Sequence, residues 1–196
     1  GPNGIRTEEL SGSECIQAAR VLAEALKTDR YRSGPTREVR IPKVSGEGHR
    51  TLQLLNAEDK IVHRALLQTI SPLVDPQFYV RIYGFRPQIG REDALLELER
   101  LVHEGSFPVA ISEDMANAFD NVPVRRMLDV LPQYDLPPEI VRAVACSVGN
   151  RRHGIPQGSP LAPLLLNTYV GYGLDRRWPG TESGVLLRSA DDILIL

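Results

Sequence analysis

Residues 185–196 read VLLRSADDILIL, two apolar strand-like runs separated by Ala190-Asp191-Asp192. Short apolar runs on either side of a polar break read as strands joined by a tight turn. A further acid, Asp114, closes another such run: Pro108 to Ser112 reads as a short buried strand, and Asp114 stands at its end. Pairing of these strands in one small sheet would bring Asp114, Asp191 and Asp192 to a common edge. Three carboxylates crowded there would repel by roughly 4 kcal/mol per pair at ~4 Å and an effective dielectric near 20. Such a group calls for a cation or for raised pKa values, and oxygen-only ligands favour Mg²⁺ or Mn²⁺ over Zn²⁺. Taken alone, Asp191-Asp192 is more simply an acidic turn, a place Asp often occupies.

Working outward, helical spacing recurs along the chain. Cys15, Ile16, Ala19, Leu22, Ala23 and Leu26 mark one face of a helix with Ser11 or Ser13 as its cap. Asn56 followed by Asp59 opens a capping-box-like helix over Asn56–Ser71, stopped by Pro72, with Ile61, Val62, Ala65, Leu66, Thr69 and Ile70 on one face. A third helix spans Arg91–Glu104, with Ala94, Leu95, Leu98, Leu101 and Val102 inward and Gly105 as its stop. Prolines open two more, Pro123–Leu131 and Pro138–Ser147, and Ser159-Pro160 starts an apolar helix over Leu161–Tyr172. Between the first two helices, Glu38–Pro42 and Arg50–Leu55 alternate around a turn at Ser45–Gly48, the pattern of a β-hairpin with basic arms. Helices, hairpins and short strands without βαβ alternation predict an α+β fold.

The chain has 196 residues and is 42% apolar, ample for a packed core. Its net charge of −2 argues against a protein that coats itself in nucleic acid, because binders of polyanions commonly carry a basic excess. The charge is uneven, however. Arg30, Arg32, Arg37, Arg40, Lys43, His49 and Arg50 fall in one stretch with few acids, and a local basic surface can serve where the average does not. Cys15 and Cys146 lie in apolar helical patterns far apart, with no disulfide or zinc spacing, which fits a reducing, cytoplasmic setting. No apolar run is long enough to span a bilayer, so no membrane association is expected. The four histidines show no ligand spacing and are assigned surface or structural roles. Gly1-Pro2 look like the remnant of a cleaved tag, and the chain stops inside an apolar run, which suggests a piece of a longer protein.

Three segments in order resemble the palm motifs of reverse transcriptases: Asp114-Met115-Ala116-Asn117-Ala118-Phe119-Asp120, then Gly154-Ile155-Pro156-Gln157-Gly158-Ser159-Pro160-Leu161-Ala162-Pro163-Leu164-Leu165, then Ser189-Ala190-Asp191-Asp192. Upstream, Arg40-Ile41-Pro42-Lys43, Glu58-Asp59-Lys60-Ile61-Val62 with Arg64-Ala65-Leu66, and Tyr83-Gly84-Phe85-Arg86-Pro87 resemble finger motifs of the bacterial, group II intron-like branch. The resemblance covers about Tyr31 to Leu196. It implies mostly helical fingers with a β-hairpin over residues 1–107, packed on a partial polymerase palm over 108–196 with a small antiparallel sheet. The thumb would be absent.

Carried over residue by residue, the resemblance makes Asp114, Asp191 and Asp192 the ligands of two Mg²⁺ or Mn²⁺ ions, with the carbonyl of Met115 beside them. Phe119 becomes the steric gate against a ribose 2′ hydroxyl. Lys43 and Arg50 hold the incoming triphosphate, and Gln157 contacts the incoming nucleotide. Arg86 and Arg91 are read as fixing the fingers. Each has a plainer reading: Phe119 as core at a strand end, Lys43 and Arg50 as a solvated hairpin face, Gln157-Gly158 as a turn. The pattern also departs from the family, with Ser189 where an aromatic usually opens the third motif, and Thr51 and Gln53 where proline and glycine are usual.

The function implied is RNA-directed DNA synthesis by the parent protein, with RNA template, DNA primer and deoxynucleoside triphosphate as partners and a poorly active isolated piece. The strand edge left unpaired at Leu196 is a candidate surface for a homodimer. The alternative is a non-polymerising scaffold of the same family that binds RNA or oligomerises, favoured by the acidic net charge and Ser189. A palm-type polymerase that copies DNA, or adds nucleotides without a template, is a third reading.

Overall fold

The computed structural model describes residues 1–5, 11–42, 48–105, 107–178 and 184–196. In chain order its elements are α1 (Gly12–Lys27), β1 (Arg37–Pro42), β2 (His49–Leu54), α2 (Ala57–Val74), α3 (Arg91–Glu104), β3 (Ile111–Asp114), α4 (Ala118–Asn121), α5 (Val124–Val130), α6 (Pro138–Val148), α7 (Ala162–Gly173), β4 (Leu186–Ser189) and β5 (Asp192–Ile195). The class is α+β, as expected. β1 and β2 form an antiparallel hairpin, with Arg50 opposite Ile41. β3, β5 and β4 form a second antiparallel sheet in that order.

β5 therefore sits in the middle of its sheet, bonded to β3 on one side and β4 on the other. This corrects the expectation that the chain finishes on an unpaired edge offered to a second copy. The edges are β3 and β4, and β4 is partly covered by the 81–83 segment: its Arg188 amide donates to the Arg81 carbonyl at 2.9 Å and the Tyr83 amide donates to the Arg188 carbonyl at 2.8 Å.

α7 anchors the molecule. Its sequence APLLLNTYVGYG has no charged residue and is buried on nearly every side, which is what a helix apolar all round must do. Around it pack Val62, Leu66 and Ile70 of α2, Met127 and Val130 of α5, and Val144 and Val148 of α6. A smaller cluster joins Tyr83 and Leu101 to Val185, Leu187 and Leu196, seating α3 against the sheet. Both clusters draw on residues before and after position 107, so these parts share their cores. Each fully buried aliphatic side chain contributes about 1.5–3 kcal/mol relative to an exposed one.

Several local expectations shift. α2 runs three residues past Ser71 with Pro72 inside it. The bond that Pro72 cannot make leaves the carbonyl of Gln68 to solvent, where the residue is exposed, while Val74 is fully buried. Asn56 is the N-cap, but without a side-chain capping bond. Asp59 instead accepts from the Tyr31 hydroxyl at 2.7 Å and the Gly34 amide at 3.1 Å, tying the segment before β1 to α2. In α1 the Ser11–Glu14 capping box forms, yet Ile16 is 56% exposed, because the packed face is rotated onto Leu22, Ala25 and Leu26. α3 has the expected bounds, but Leu95 and Val102 are exposed. The strand expected over Pro108–Ser112 begins only at Ile111, and all four of its residues are exposed.

Candidate active site

A two-residue turn, Ala190-Asp191, links β4 to β5, with Ala190 in the left-handed region at φ 60°. A left-handed central residue suits the twist of a tight hairpin. Asp192 is the first residue of β5 and pairs with Ser189 on one side and Asp114 on the other. The Met115 amide donates to the Asp191 carbonyl at 3.0 Å. Backbone register thus brings Asp114, Met115, Asp191 and Asp192 together at one end of the sheet. The Asp191 carboxyl is pushed above the usual range chiefly by burial; its own amide opposes the shift, and the charges of Asp114 and Asp192 add to it.

Among the described residues, no three acidic, histidine or cysteine side chains are already closed around a point that could hold an ion. The donor set nevertheless suits a hard divalent cation, being oxygen-only with two exposed carboxylates and one that is held partly desolvated and repelled by the others. Mg²⁺ commonly completes its shell with water and substrate phosphates rather than a full protein cage.

The other predicted residues fall elsewhere. Phe119 stands in the one-turn helix α4, not at a strand end, and its ring meets that of Phe85 edge-on at 6.4 Å. Both rings, with Lys60, Arg64, Gln157 and Pro160, line a cavity of about 860 Å³ between α2 and the start of α7. The carboxylates do not line it. Gln157 reaches the Asp120 carboxylate at 3.3 Å, and its carbonyl accepts from the Gln53 amide at 2.6 Å. Gly158 has φ 112°, and a Cβ there would lie 3.0 Å from the Gln53 carbonyl oxygen. Arg50 is exposed on β2 and outside the cavity lining. Lys43, like most of the predicted turn at Ser45–Gly48, lies outside the described residues. Arg86 is held by Asp75 at 2.9 Å and stacks over Phe78, while Arg91 is exposed at the start of α3.

Sequence reasoning gave no partners to three groups, although it assigned His63 a surface or structural role. Arg188 is buried inside the apolar run, paired with Asp175. Gly84 packs so closely under the turn that a Cβ would collide with the Ala190 amide nitrogen and lie 2.9 Å from the Ser189 carbonyl carbon. His63 is fully buried on α2, its Nδ1 2.5 Å from Ser159 Oγ and its Nε2 3.0 Å from the Ser147 carbonyl. The carbonyl can only accept, so Nε2 carries the proton and Nδ1 accepts from the serine hydroxyl. A charge within an apolar strand, and a histidine on the buried face of a helix, were the available signals.

Burial holds His63 below the usual imidazole range. Below about pH 6.5 the unfolded chain takes up a proton that the folded chain refuses. Stability is therefore expected to fall as pH drops through that window toward the lowered folded value, by up to about 1.4 kcal/mol per pH unit. Melting curves of the chain and of His63→Gln between pH 8 and 5 test this; parallel curves would remove His63 as the cause.

Residues 41–196 match the family model described as reverse transcriptase (RNA-dependent DNA polymerase). The chain belongs to the reverse transcriptase family. It is 28% identical over 181 residues to the putative COX1/OXI3 intron 2 protein of Saccharomyces cerevisiae, matching 87% of this chain and 20% of that protein. With protein YkfC of Escherichia coli the identity is 28%, over 85% of this chain and 47% of the relative. The group II intron-encoded protein LtrA of Lactococcus lactis subsp. cremoris is 24% identical over 76% of this chain and 26% of its own length. The chain thus spans between a fifth and about half of these relatives. Among solved structures, a chain of a partial Cas6-RT-Cas1–Cas2 complex superposes with a TM-score of 0.56 over 98% of this chain and 34% of that one, at 20% identity, a likeness of fold. Among the described residues, no helix of this reverse transcriptase-family chain is long and apolar enough to cross a membrane.

Proposed function

We propose that this chain is the fingers and catalytic palm portion of an RNA-directed DNA polymerase that extends a primer 3′ hydroxyl with deoxynucleoside triphosphates. The observation that carries the reading is the register of the small sheet, in which Asp114 faces Asp192 and the Met115 amide binds the Asp191 carbonyl. Asp114, Asp191 and Asp192, with the Met115 carbonyl, would hold two Mg²⁺ or Mn²⁺ ions. When bound, such ions supply charge neutralisation on the triphosphate and a lowered pKa for the attacking hydroxyl.

The chain's own residues do the rest. Phe119 and Phe85 form an apolar wall of the cavity that excludes bulk at the sugar of the incoming nucleotide. Gln157, steadied by Asp120, presents its amide to the nucleotide. Lys60 and Arg64, one helical turn apart on α2, face the same cavity and offer charge to a nucleic-acid backbone. Lys43 and Arg50 at the hairpin would meet the triphosphate, where a flexible ammonium and a planar guanidinium both suit phosphate oxygens.

Extension of a primed RNA template by the protein that carries this chain, with and without Asp191→Asn, tests the proposal. Loss of extension on substitution is expected, and unchanged extension would sink it. Ser189 and the net charge of −2 favour the alternative of a non-polymerising scaffold that binds RNA or self-associates. That reading predicts RNA binding indifferent to Asp191→Asn and to divalent metal.

Thermal melts give a second check. Asp191→Asn removes a partly buried charge that Asp114 and Asp192 repel, so the metal-free variant is expected to melt slightly higher than the parent chain. The parent should gain about 1.4 kcal/mol when free Mg²⁺ or Mn²⁺ reaches ten times its dissociation constant, and the variant should lose most of that gain. An identical metal response would remove Asp191 from the ligand set.

A further inference from the structure

Arg188 is a guanidinium with no solvent contact, and its bonds account for its position. Nε lies 3.1 and 3.0 Å from the two carboxylate oxygens of Asp175, and Nη2 donates to Oδ2 at 2.6 Å. Nη1 donates both to Asn167 Oδ1 at 3.0 Å and to the carbonyl oxygen of Ala190 at 2.6 Å. Asn167 passes its own amide on to the Gly84 carbonyl at 2.7 Å. The turn before Asp191 is thus gripped from inside by Arg188, while Gly84 abuts its Ala190 amide.

Replacing a buried ion pair by apolar residues is often neutral or stabilising, so stability alone is a weak reason for this one. The peptide plane supplies a better reason. In a trans peptide the carbonyl and the following N–H point in opposite directions. With the Ala190 carbonyl held inward by Arg188, the Asp191 amide must point outward, toward its own carboxylate. The next peptide is fixed by Met115. A planar fork that reaches a carboxylate, an amide and a carbonyl at once is a task for arginine and not for a point charge.

We propose that Arg188, held by Asp175 and Asn167, is a positioning residue that fixes the Ala190–Asp191 peptide and so aims the Asp191 carboxylate. The functional meaning rests on Asp191 as a metal ligand; the geometric claim does not. The experiment compares the chain with Asp175→Leu/Arg188→Met, which removes the pair without orphaning a charge, and with Arg188→Lys, which keeps the charge but not the fork. Both are read by melting temperature, by ¹⁵N relaxation of the turn amides and by Mn²⁺ binding.

The double variant is expected to melt well above the Arg188→Met single variant. Its Asp191 amide order parameter should fall from about 0.85 toward 0.6 or lower, with α7 and β3 unchanged, and its Mn²⁺ dissociation constant should rise roughly ten- to hundred-fold. Arg188→Lys should show the same local loosening and covers the case in which the double variant does not fold. A folded variant with an unaltered Asp191 amide and an unaltered Mn²⁺ constant overturns the proposal. A parent chain that binds no Mn²⁺, with variants that still loosen the turn, upholds Arg188 as the positioning residue and overturns the metal-ligand reading instead.

Discussion

On the proposed function, Phe119→Val in the protein that carries this chain should raise ribonucleotide incorporation relative to deoxynucleotide by roughly ten- to two-hundred-fold, the scale of small groups in tight pockets. The extra hydroxyl of a ribonucleotide would either overlap the ring or be buried without a partner. The ring is fixed enough to exclude it: α4 carries it, the Ile155 amide binds the Phe119 carbonyl at 2.9 Å, and the edge-on Phe85 ring limits its swing. Full truncation of a buried aromatic costs about 3–5 kcal/mol. Phe119 is only half-buried and valine keeps part of its volume, so the variant should stay folded. Single-nucleotide incorporation with matched ribo- and deoxynucleotides, beside a melting curve, is the measurement. A folded, active variant with unchanged sugar preference would take Phe119 out of the nucleotide site.

Asp175→Ala is expected to be the most damaging single substitution for stability, at about 3–5 kcal/mol, because it strands the Arg188 guanidinium in the core without its counter-charge. For a chain of this size that is a fall in melting temperature of roughly 6–20 °C. The contrast is Arg100, which is 46% exposed and bridges Glu97 and Glu104 on the outer face of α3. Glu104→Gln there should leave the melting temperature nearly unchanged, because solvent screens an exposed pair. If the two variants melted alike, the Arg188–Asp175 pair would not be the buried electrostatic centre described above.

How far the sequence could be read depended on whether the information was local. The bounds of α3 follow from a periodic face, an acidic first turn and Gly105, all within one segment. That Asp114 could meet Asp191-Asp192 at one sheet edge was legible from acids bordering short apolar runs, but the register that sets Asp114 opposite Asp192 was not, because strand pairing is a long-range fact. The left-handed Ala190 turn was visible as an interruption, though not as a conformation.

Arg188 escaped because its partners, Asp175 and Asn167, lie in different elements. In one dimension it is merely a polar residue in an apolar run. His63 is structural, one of the two roles assigned to it, but its partners were hidden for the same reason, since Ser147 and Ser159 reach it from α6 and the loop before α7. Pro72 was read as a stop because its steric rule is local, whereas the burial of Val74 that carries the helix onward is not. Phe85, exposed at 57% with φ 58°, became interpretable only once its ring was seen against Phe119.

The bond between the Gln53 amide and the Gln157 carbonyl joins the basic hairpin to the loop ahead of α7, and Arg151 reinforces it by holding the Gln53 side chain at 2.7 Å. The hairpin is therefore tethered to that loop at Gln53. Any swing that carries β2 away from the loop must first break that bond and open the space that Gly158 leaves for the Gln53 carbonyl. A displacement of the hairpin is in consequence passed, through that bond and the Arg151 contact, to the loop that carries Gln157 at the edge of the cavity.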